Sequence, residues 1–487
     1  TLTLQQSIAV GFARSPLLAQ TRSDVAIQAA AVRLQRAGLL PSLAGSADYT
    51  KSHQQPGGFA STNAAGVPIS SNRNDNFAST SFGVSLRQLI YDGGRIAAAV
   101  NAAQRSETAF ADTYRRELQV VAYNVAQAYY AYLGAQRTTQ VDLEIVRQDV
   151  VQENLVRAQV SAGTEARATI ATAQLPTAQA RLAVVRAQGA ELADEAAFAN
   201  AMGLDANVRV QPVDDAPVFT NSAISTVPIP TYDAAVQRAI ALRPDFDSSR
   251  QVVQQDQYTL KSAKLGLFPS LATNASATDN SSDQFGGSFR NAQSIGVSLA
   301  IPIYDQGITA ANVASARAQL DVANAVLQNT TLDIQLNVKQ ALTNLVSSRA
   351  ALAQTQQEYR TAVVNVQSTQ AQYRAGVTTL PLLLNAQVQL TTALTDQVTA
   401  VYTLRQAEQA YLFAVGANYE TPVGDAPLPA RPTPDPQPTG TPPPPTASTS
   451  PVPIPSGPVI LPSATPIPTA SPRSSSRSRR RPPTLSG

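Results

Sequence analysis

A block of sequence that occurs twice is the strongest constraint on how this chain folds. Residues 84–94 read VSLRQLIYDGG, and residues 297–307, which lie 213 positions further on, read VSLAIPIYDQG. A second match, GLLPSL at 38–43 and GLFPSL at 266–271, has an offset of 228 positions. Because an internal repeat indicates copies of one structural unit, the chain is predicted to contain two such units.

The segments around these blocks predict one β-hairpin in each copy. The first copy contains 15 additional residues, and the stretch 51–76 is rich in Gly, Ser, Asn and Pro, as is typical of a long loop. Beside this loop, apolar and polar residues alternate with a period of two, which predicts a hairpin at about 42–90. The same alternation predicts a hairpin at about 269–304. The apolar faces include Phe82, Val84 and Leu86 in the first copy and Ile295, Val297 and Leu299 in the second.

Long coiled-coil helices are predicted after each hairpin. Apolar and small residues recur there at alternating spacings of four and three, which is a heptad pattern. Each helix would reach Gly163 or Gly376 after about 65 residues, or roughly 100 Å. A shorter returning helix follows each glycine. The stripe of the second copy consists of Leu327, Thr331, Ile334, Val338, Ala341, Leu345, Ser348, Leu352, Thr355, Tyr359, Ala362, Val366, Thr369 and Tyr373.

Three acidic residues, Asp142, Asp149 and Glu153, interrupt the corresponding stripe of the first copy. The spacings to Arg147 and Arg157 are four or five residues, so the simpler interpretation is a salt-bridged helix surface. The alternative is that these carboxylates face a lumen or make contacts at the helical tip.

A helix is also predicted at the start of each copy, over about 4–39 and over 231–265. Pro41 would end the first one because proline has no amide hydrogen. The chain is thereby divided into four segments: a first repeat at 1–203, a linker at 204–230, a second repeat at 231–417, and a disordered tail at 418–487 that is rich in Pro and ends in arginines.

Composition excludes several classes of function. The chain has no Cys, one Met, one His and a net charge of +3, so disulfides, thiolate metal sites and cysteine nucleophiles are excluded. No nucleotide, zinc or triad signature is present. We therefore predict a protein that is not an enzyme and has no cofactor and no metal, with His53 as a solvated loop residue.

The ends of the chain and its hydropathy bear on the cellular compartment. No run of 18 apolar residues predicts a transmembrane helix. The sequence begins at Thr1 without a basic and then apolar segment, so we expect that a signal peptide has been removed. Whether a lipid-anchored Cys preceded Thr1 stays open.

The predicted strands require more than one copy of the chain. Four strands cannot close a barrel, and open edges beside an apolar face would be unsatisfied in lipid. Strands of about 10 to 14 residues are long enough to cross a bilayer when tilted. The polar face, rich in Ser, Thr, Asn and Gly, suits a water-filled lumen.

In this order and occurring twice, the motifs resemble those of the TolC-type outer-membrane efflux proteins. The resemblance covers about residues 1–420 and rests on LPS and FPS at the helix-to-strand turns, YDGG and YDQG at the strand-to-helix turns, and VSAGT and YRAGV at the tips. It implies a mainly α fold with membrane β structure. It further implies an outer-membrane homotrimer whose 12-stranded β-barrel continues as a 12-helix periplasmic α-barrel.

The same resemblance implies partners and site residues. A periplasmic adaptor and an inner-membrane pump are the implied partners, in efflux or type I secretion, with no nucleic acid. The implied tip and adaptor contacts are Ala162, Gly163, Thr164, Arg374, Ala375, Gly376 and Val377. The implied membrane-junction turns are Pro41, Asp92, Gly93, Gly94, Pro269, Asp305 and Gly307.

The tip positions at which many members carry carboxylates are occupied here by Leu382 and Asn385. We hypothesise that they form an uncharged constriction that is weakly cation-selective or unselective. The alternative for Leu382 is a packed helix residue.

Two further alternatives remain open. A helical scaffold of the cell envelope could use the same heptads, but it has no reason to keep two apolar-faced hairpins in register. For the tail, a solvated extension is the simpler interpretation, and contact of the arginines at 473–481 with anionic lipid or cell wall is the functional one. An RNA-binding interpretation conflicts with an outer-membrane location. The exported cargo, the pump and the adaptor cannot be read from the sequence.

Overall fold

The computed structural model describes residues 1–54, 61–62, 68–69, 75–213, 228–282 and 288–417. Of two compact units, Thr1–Gly424 and Asp425–Gly487, the second lies wholly outside these residues. The described residues also leave out several predicted features, namely the tail, most of the 51–76 loop, half of the linker and the side chain of His53. The described part is mostly helical, with a few antiparallel strands.

The principal sheet consists of four antiparallel strands in the order β1 (Ser42–Gln54), β4 (Asp75–Tyr91), β5 (Ser270–Ser282) and β6 (Arg290–Ala300). Leu43, Leu86, Ala275 and Ile295 are register partners across this sheet and share one face. The adjacent row on the other face includes Ser42, Arg87 and Asn274, so one face is apolar and the other polar. A separate ribbon pairs β2 (Ser61–Thr62) with β3 (Pro68–Ile69).

The last strand is shorter than the sequence predicts. β6 ends at Ala300, whereas the alternation predicts a hairpin that continues to about 304. Pro302 lacks the N–H that a further residue of the ladder would donate, which accounts for the early end.

Where the sequence predicts one helix at the start of each half, the structure has two. α1 (Leu4–Arg14) is followed by α2 (Pro16–Ala37), and α5 (Tyr232–Leu242) by α6 (Pro244–Lys264). In both halves the break precedes a proline that becomes the first residue of the second helix, a position where its missing N–H costs nothing. At the first break the Ser15 side chain accepts a hydrogen bond of 3.5 Å from the Leu18 amide.

The two longest helices have 67 residues each and are α3 (Arg95–Ser161) and α7 (Ile308–Arg374). At 1.5 Å per residue each is roughly 100 Å long. The returning helices are α4 (Ala168–Ala201) and α8 (Leu380–Val415). Every residue of the predicted second-half stripe on α7 is buried or half-buried.

The hydrophobic core is thickest where α1, α5 and the ends of α4 and α8 meet α3 and α7. Tyr129, Phe198, Leu345 and Leu404 are fully buried there, and the rings of Tyr129 and Phe198 meet edge to face at 5.6 Å. Within the described residues, no helix combines the length and the apolarity needed to span a membrane.

Candidate functional site

The two strand-to-helix turns are built alike around an aspartate. Asp92 accepts hydrogen bonds from the amides of Gly94 (3.0 Å) and Ile96 (2.7 Å). Asp305 accepts the corresponding bonds from Gly307 (3.1 Å) and Thr309 (2.7 Å). Hydrogen bonds from Thr309 lower the pKa of Asp305. Each carboxylate thereby satisfies amides at the start of a helix and fixes the angle at which that helix leaves the sheet.

The predicted junction residues all lie at this boundary between sheet and helices. Gly94 and Gly307 both have φ of 87°, a left-handed conformation that glycine adopts without strain. A Cβ on Gly93 would lie 2.7 Å from the Cβ of Phe268, so the first-half turn packs directly on the residue before Pro269. Pro41 immediately precedes β1.

Both long helices end in the same glycine motif. After α3, Gly163 has φ of 77°, and the amide of Thr164 donates a hydrogen bond of 3.0 Å to the carbonyl of Gln159. After α7, Gly376 has φ of 73°, and the amide of Val377 donates a hydrogen bond of 2.9 Å to the carbonyl of Gln372. These bonds satisfy helix-terminal carbonyls and turn the chain sharply. The seven predicted tip residues, Ala162, Gly163, Thr164, Arg374, Ala375, Gly376 and Val377, are all exposed.

The structure brings the two tips together. The Tyr373 hydroxyl donates a hydrogen bond of 3.0 Å to Oε1 of Gln159, joining α7 to α3. Beneath this bond, Val156, Ala173 and Leu380 form a small apolar cluster. Burial raises the pKa of Tyr373 above its ordinary value. The tips are therefore one packed unit within a single chain.

Leu382 and Asn385 lie in the first turns of α8 and both are exposed. Leu382 is 52% exposed, whereas its neighbour Leu383 is 1% exposed and packs inward. Within a single chain, Leu383 is therefore the packed residue and Leu382 is exposed. Both side chains are free to face a lumen or another subunit.

The three interrupting acids behave differently from one another. Glu153 forms a salt bridge with Arg157 at 2.6 Å, as the sequence predicts. Arg147 instead pairs with Glu144 at 2.7 Å, which corrects its predicted pairing. Asp142 and Asp149 line a cleft of about 200 Å³ between α3, α4 and α8, where burial raises both pKa values. Among the described residues, no group of His, Cys, Asp or Glu could hold a metal ion.

A buried polar network at the end of α8 was not predicted. Arg243 donates to Asp245 (3.0 Å) and to the carbonyl of Ala414 (3.3 Å). Arg116 donates a hydrogen bond of 3.4 Å to the carbonyl of Phe413, and its guanidinium carbon lies 4.0 Å from the centre of the Phe413 ring. Burial lowers the pKa of Arg116 to about 10. Two guanidinium groups thus satisfy the carbonyls at the C-terminus of α8.

Comparison with known proteins gives consistent matches. A family model described as outer membrane efflux protein matches residues 12–204 and 235–417. The chain is 26% identical over 427 residues to protein CyaE of Bordetella pertussis, covering 85% of this chain and 84% of that protein. It is 22% identical over 425 residues to outer membrane efflux protein BepC of Brucella suis, with 85% of each covered.

Solved structures share the fold. A membrane protein from Pseudomonas aeruginosa superposes with a TM-score of 0.74 at 21% identity, covering 88% of this chain and 92% of that one. At that identity the likeness concerns the fold alone.

Proposed function

Because this chain belongs to the outer membrane efflux protein family, we propose that it is the passive exit duct of a tripartite efflux or type I secretion system. It lies in the outer membrane and extends into the periplasm. One observation carries the proposal: a sheet with one apolar and one polar face leads directly into helices roughly 100 Å long. A helical scaffold would not need such a sheet.

The duct is a homotrimer in this proposal. β1 and β6 are the edges of the sheet, and unpaired edges cannot face lipid. Four strands from each of three copies give a closed barrel of 12 strands. An exposed seam on α4, with heptad spacing, supports further packing between copies; it consists of Leu175, Leu182, Val185 and Leu192.

The chain is organised as two repeats, 1–203 and 231–417, joined by a linker at 204–230 and followed by a tail at 418–487. The matched turns at Asp92 and Asp305 support this division, as do the matched tips. Repeats of this kind supply two hairpins and two helical pairs to each third of the duct, so that three copies line it with 12 helices.

The tips at 162–164 and 374–377 contact a periplasmic adaptor, and an inner-membrane pump supplies the energy. Leu382 and Asn385 form the constriction, since both are exposed on the first turns of α8 beside the tip. Neither carries a charge, so the constriction is weakly cation-selective or unselective. The protein itself performs no catalytic chemistry.

Reconstitution tests the proposal. The purified protein should resist dissociation in detergent until it is heated, and it should give stepwise ion currents in planar bilayers. Folded protein that inserts into bilayers without conducting would reject the duct and favour the scaffold.

A further inference from the structure

A pair of basic side chains lies at the end of each helix that leads into the sheet. Arg33 and Arg36 lie on α2, and Lys261 and Lys264 occupy the positions 228 residues further on, on α6. All four residues are exposed. In the described part of the chain none of the four forms an ion pair, and Arg33 only donates to the carbonyl of Ala29 in its own helix, at 3.4 Å.

The junction carries little negative charge to offset them. Its two aspartates, Asp92 and Asp305, each accept hydrogen bonds from backbone amides through both carboxylate oxygens, and the four basic residues outnumber them. α2 has no acidic residue after Asp24, and α6 has none after Asp256. The boundary between sheet and helices is therefore positively charged.

Helical geometry shows which side of the layer the basic residues occupy. A cavity of about 620 Å³ is lined by α2, α3, α6 and α7 together, which places it on the concave side of the layer. Its lining from α6 includes Gln255, Thr259 and Ser262. Because an α-helix turns about 100° per residue, Lys261 and Lys264 lie roughly 100–180° around α6 from these residues.

The first half has the same arrangement. Gln28 and Gln35 of α2 line the cavity. Arg33 lies roughly 150° around α2 from them and Arg36 roughly 90°. The basic residues of both helices thus occupy the convex side or the rim of the layer, away from the cavity.

Exposed apolar residues separate the basic pairs from the strands. Leu39 and Leu40 follow α2, and Leu267 and Phe268 follow α6; these four side chains are 43–65% exposed. A cationic helix end followed by apolar side chains and then a membrane strand matches the order of phosphate, glycerol and hydrocarbon layers in a leaflet.

We propose that Arg33, Arg36, Lys261 and Lys264 form a basic collar that binds the phosphate groups of anionic phospholipid in the periplasmic leaflet. The inference rests on the proposed function, because it places the sheet in the membrane and the concave side toward the lumen. Bound phosphates would hold the sheet at one depth while the helices transmit forces from the periplasm.

Melting of the full-length protein in lipid and detergent micelles tests the collar. Phosphatidylglycerol mixed with phosphatidylcholine should raise the melting temperature of the wild type above that in phosphatidylcholine alone, and added salt should reduce the rise. The variant with Arg33, Arg36, Lys261 and Lys264 replaced by Gln should lose it. Affinity for phosphatidylglycerol should fall by about fivefold for each charge removed.

Two control variants separate the collar from net charge. Replacing Arg167, Arg181, Arg186 and Arg360 by Gln removes the same charge from exposed positions on the tip-side half and should leave the lipid response intact. A variant with Arg exchanged for Lys and Lys exchanged for Arg at the four collar positions should also retain the rise in melting temperature with phosphatidylglycerol. Should the Gln variant fold poorly, Lys261→Gln with Lys264→Gln alone should lose part of the rise.

Two outcomes would overturn the proposal. In one, the collar variant responds to phosphatidylglycerol as strongly as the wild type. In the other, the tip-side control loses the response equally. Conductance in bilayers of phosphatidylcholine alone tests the proposed duct separately from the collar. If the wild type does not conduct there, the proposed duct function is wrong, whatever the melting experiment shows. If the collar variant conducts normally there, the melting experiment tests the collar alone.

Discussion

Gly203 lies against the main chain of Arg14, so closely that a Cβ on Gly203 would be 2.6 Å from the Arg14 carbonyl oxygen. The second half has the same contact, because a Cβ on Gly416 would be 2.9 Å from the carbonyl of Leu242. Each returning helix therefore ends against the break between the two short helices of its own half. In each half, this contact joins the end of the returning helix to the two short helices.

Gly203→Ala and Gly416→Ala should each destabilise the protein. Both glycines have positive φ, 71° and 79°, which costs an alanine about 1–2 kcal/mol. The blocked Cβ adds about 1–3 kcal/mol of overpacking. Chemical denaturation followed by circular dichroism measures the loss.

Gly163→Ala and Gly376→Ala serve as matched controls for these substitutions. Both residues have positive φ, yet a Cβ at either position meets nothing within 4 Å. They should show only the backbone cost of about 1–2 kcal/mol. Equal losses at all four glycines would show that the close contacts contribute nothing.

The network at the end of α8 should be sensitive to loss of the Asp245 carboxylate. Asp245→Asn removes the ion-pair partner of the buried Arg243 and one of the two carboxylates, with Glu117, whose charges act on Arg116, so it should cost about 3–5 kcal/mol. Asp247→Asn, which breaks an exposed pair with Arg250 at 3.3 Å, should cost about 1 kcal/mol or less. A similar small loss for both would contradict the role given to the network.

The same carboxylate predicts an acid sensitivity. Burial alone raises the pKa of Asp245, but hydrogen bonds from Arg243 and the charge of Arg116 outweigh it, and the net pKa is lowered. Its contribution is therefore complete above the ordinary value of about 3.9 and is lost as the pH falls through the lower folded value. Denaturation midpoints of the wild type and Asp245→Asn should converge in that acidic range.

Asp142 and Asp149 should show the opposite dependence. Burial raises the pKa of both in the folded state, so their ionised forms oppose folding. Asp142→Asn with Asp149→Asn should raise the midpoint near neutral pH, and the advantage should shrink as the pH falls toward about 3.9. Glu144→Gln, which removes an exposed pair with Arg147, should not stabilise. A destabilised double variant would show that these carboxylates hold favourable contacts.

Asn385→Asp should make the duct more cation-selective. The substitution introduces a carboxylate at an exposed position of the proposed constriction, and a ring of carboxylates attracts cations. Reversal potentials of single channels in asymmetric salt measure the change. Gln188→Glu, an exposed substitution on α4, is the control, and an unchanged reversal potential for Asn385→Asp would place the constriction elsewhere.

Much of the fold follows from periodicity that can be read in the sequence. The period of two at 82–86 and 295–299 predicts strand faces, and the heptads from Leu327 to Tyr373 predict the buried stripe of α7. Gly163 and Gly376 predict the helix ends because left-handed termini favour glycine. These features depend on local geometry and so leave a local signal.

The remaining features depend on tertiary contacts. Ser15 and Pro16 sit inside an otherwise helical pattern, so the break between α1 and α2 is not visible from periodicity alone. Arg116 and Asp245 are far apart in the sequence, and they meet because α3 and α6 pack against each other. The raised pKa of Asp142 comes from a cleft between three helices. For Arg243, the single hint in the sequence was its position before Pro244.

The mass of the intact complex most directly tests the claim that three copies complete one duct. Native mass spectrometry of protein extracted from outer membranes should give about 154 kDa, three times the 51.2 kDa of one chain, for a species with β structure by circular dichroism. A folded single chain of 51.2 kDa that retains the same β structure would contradict the account.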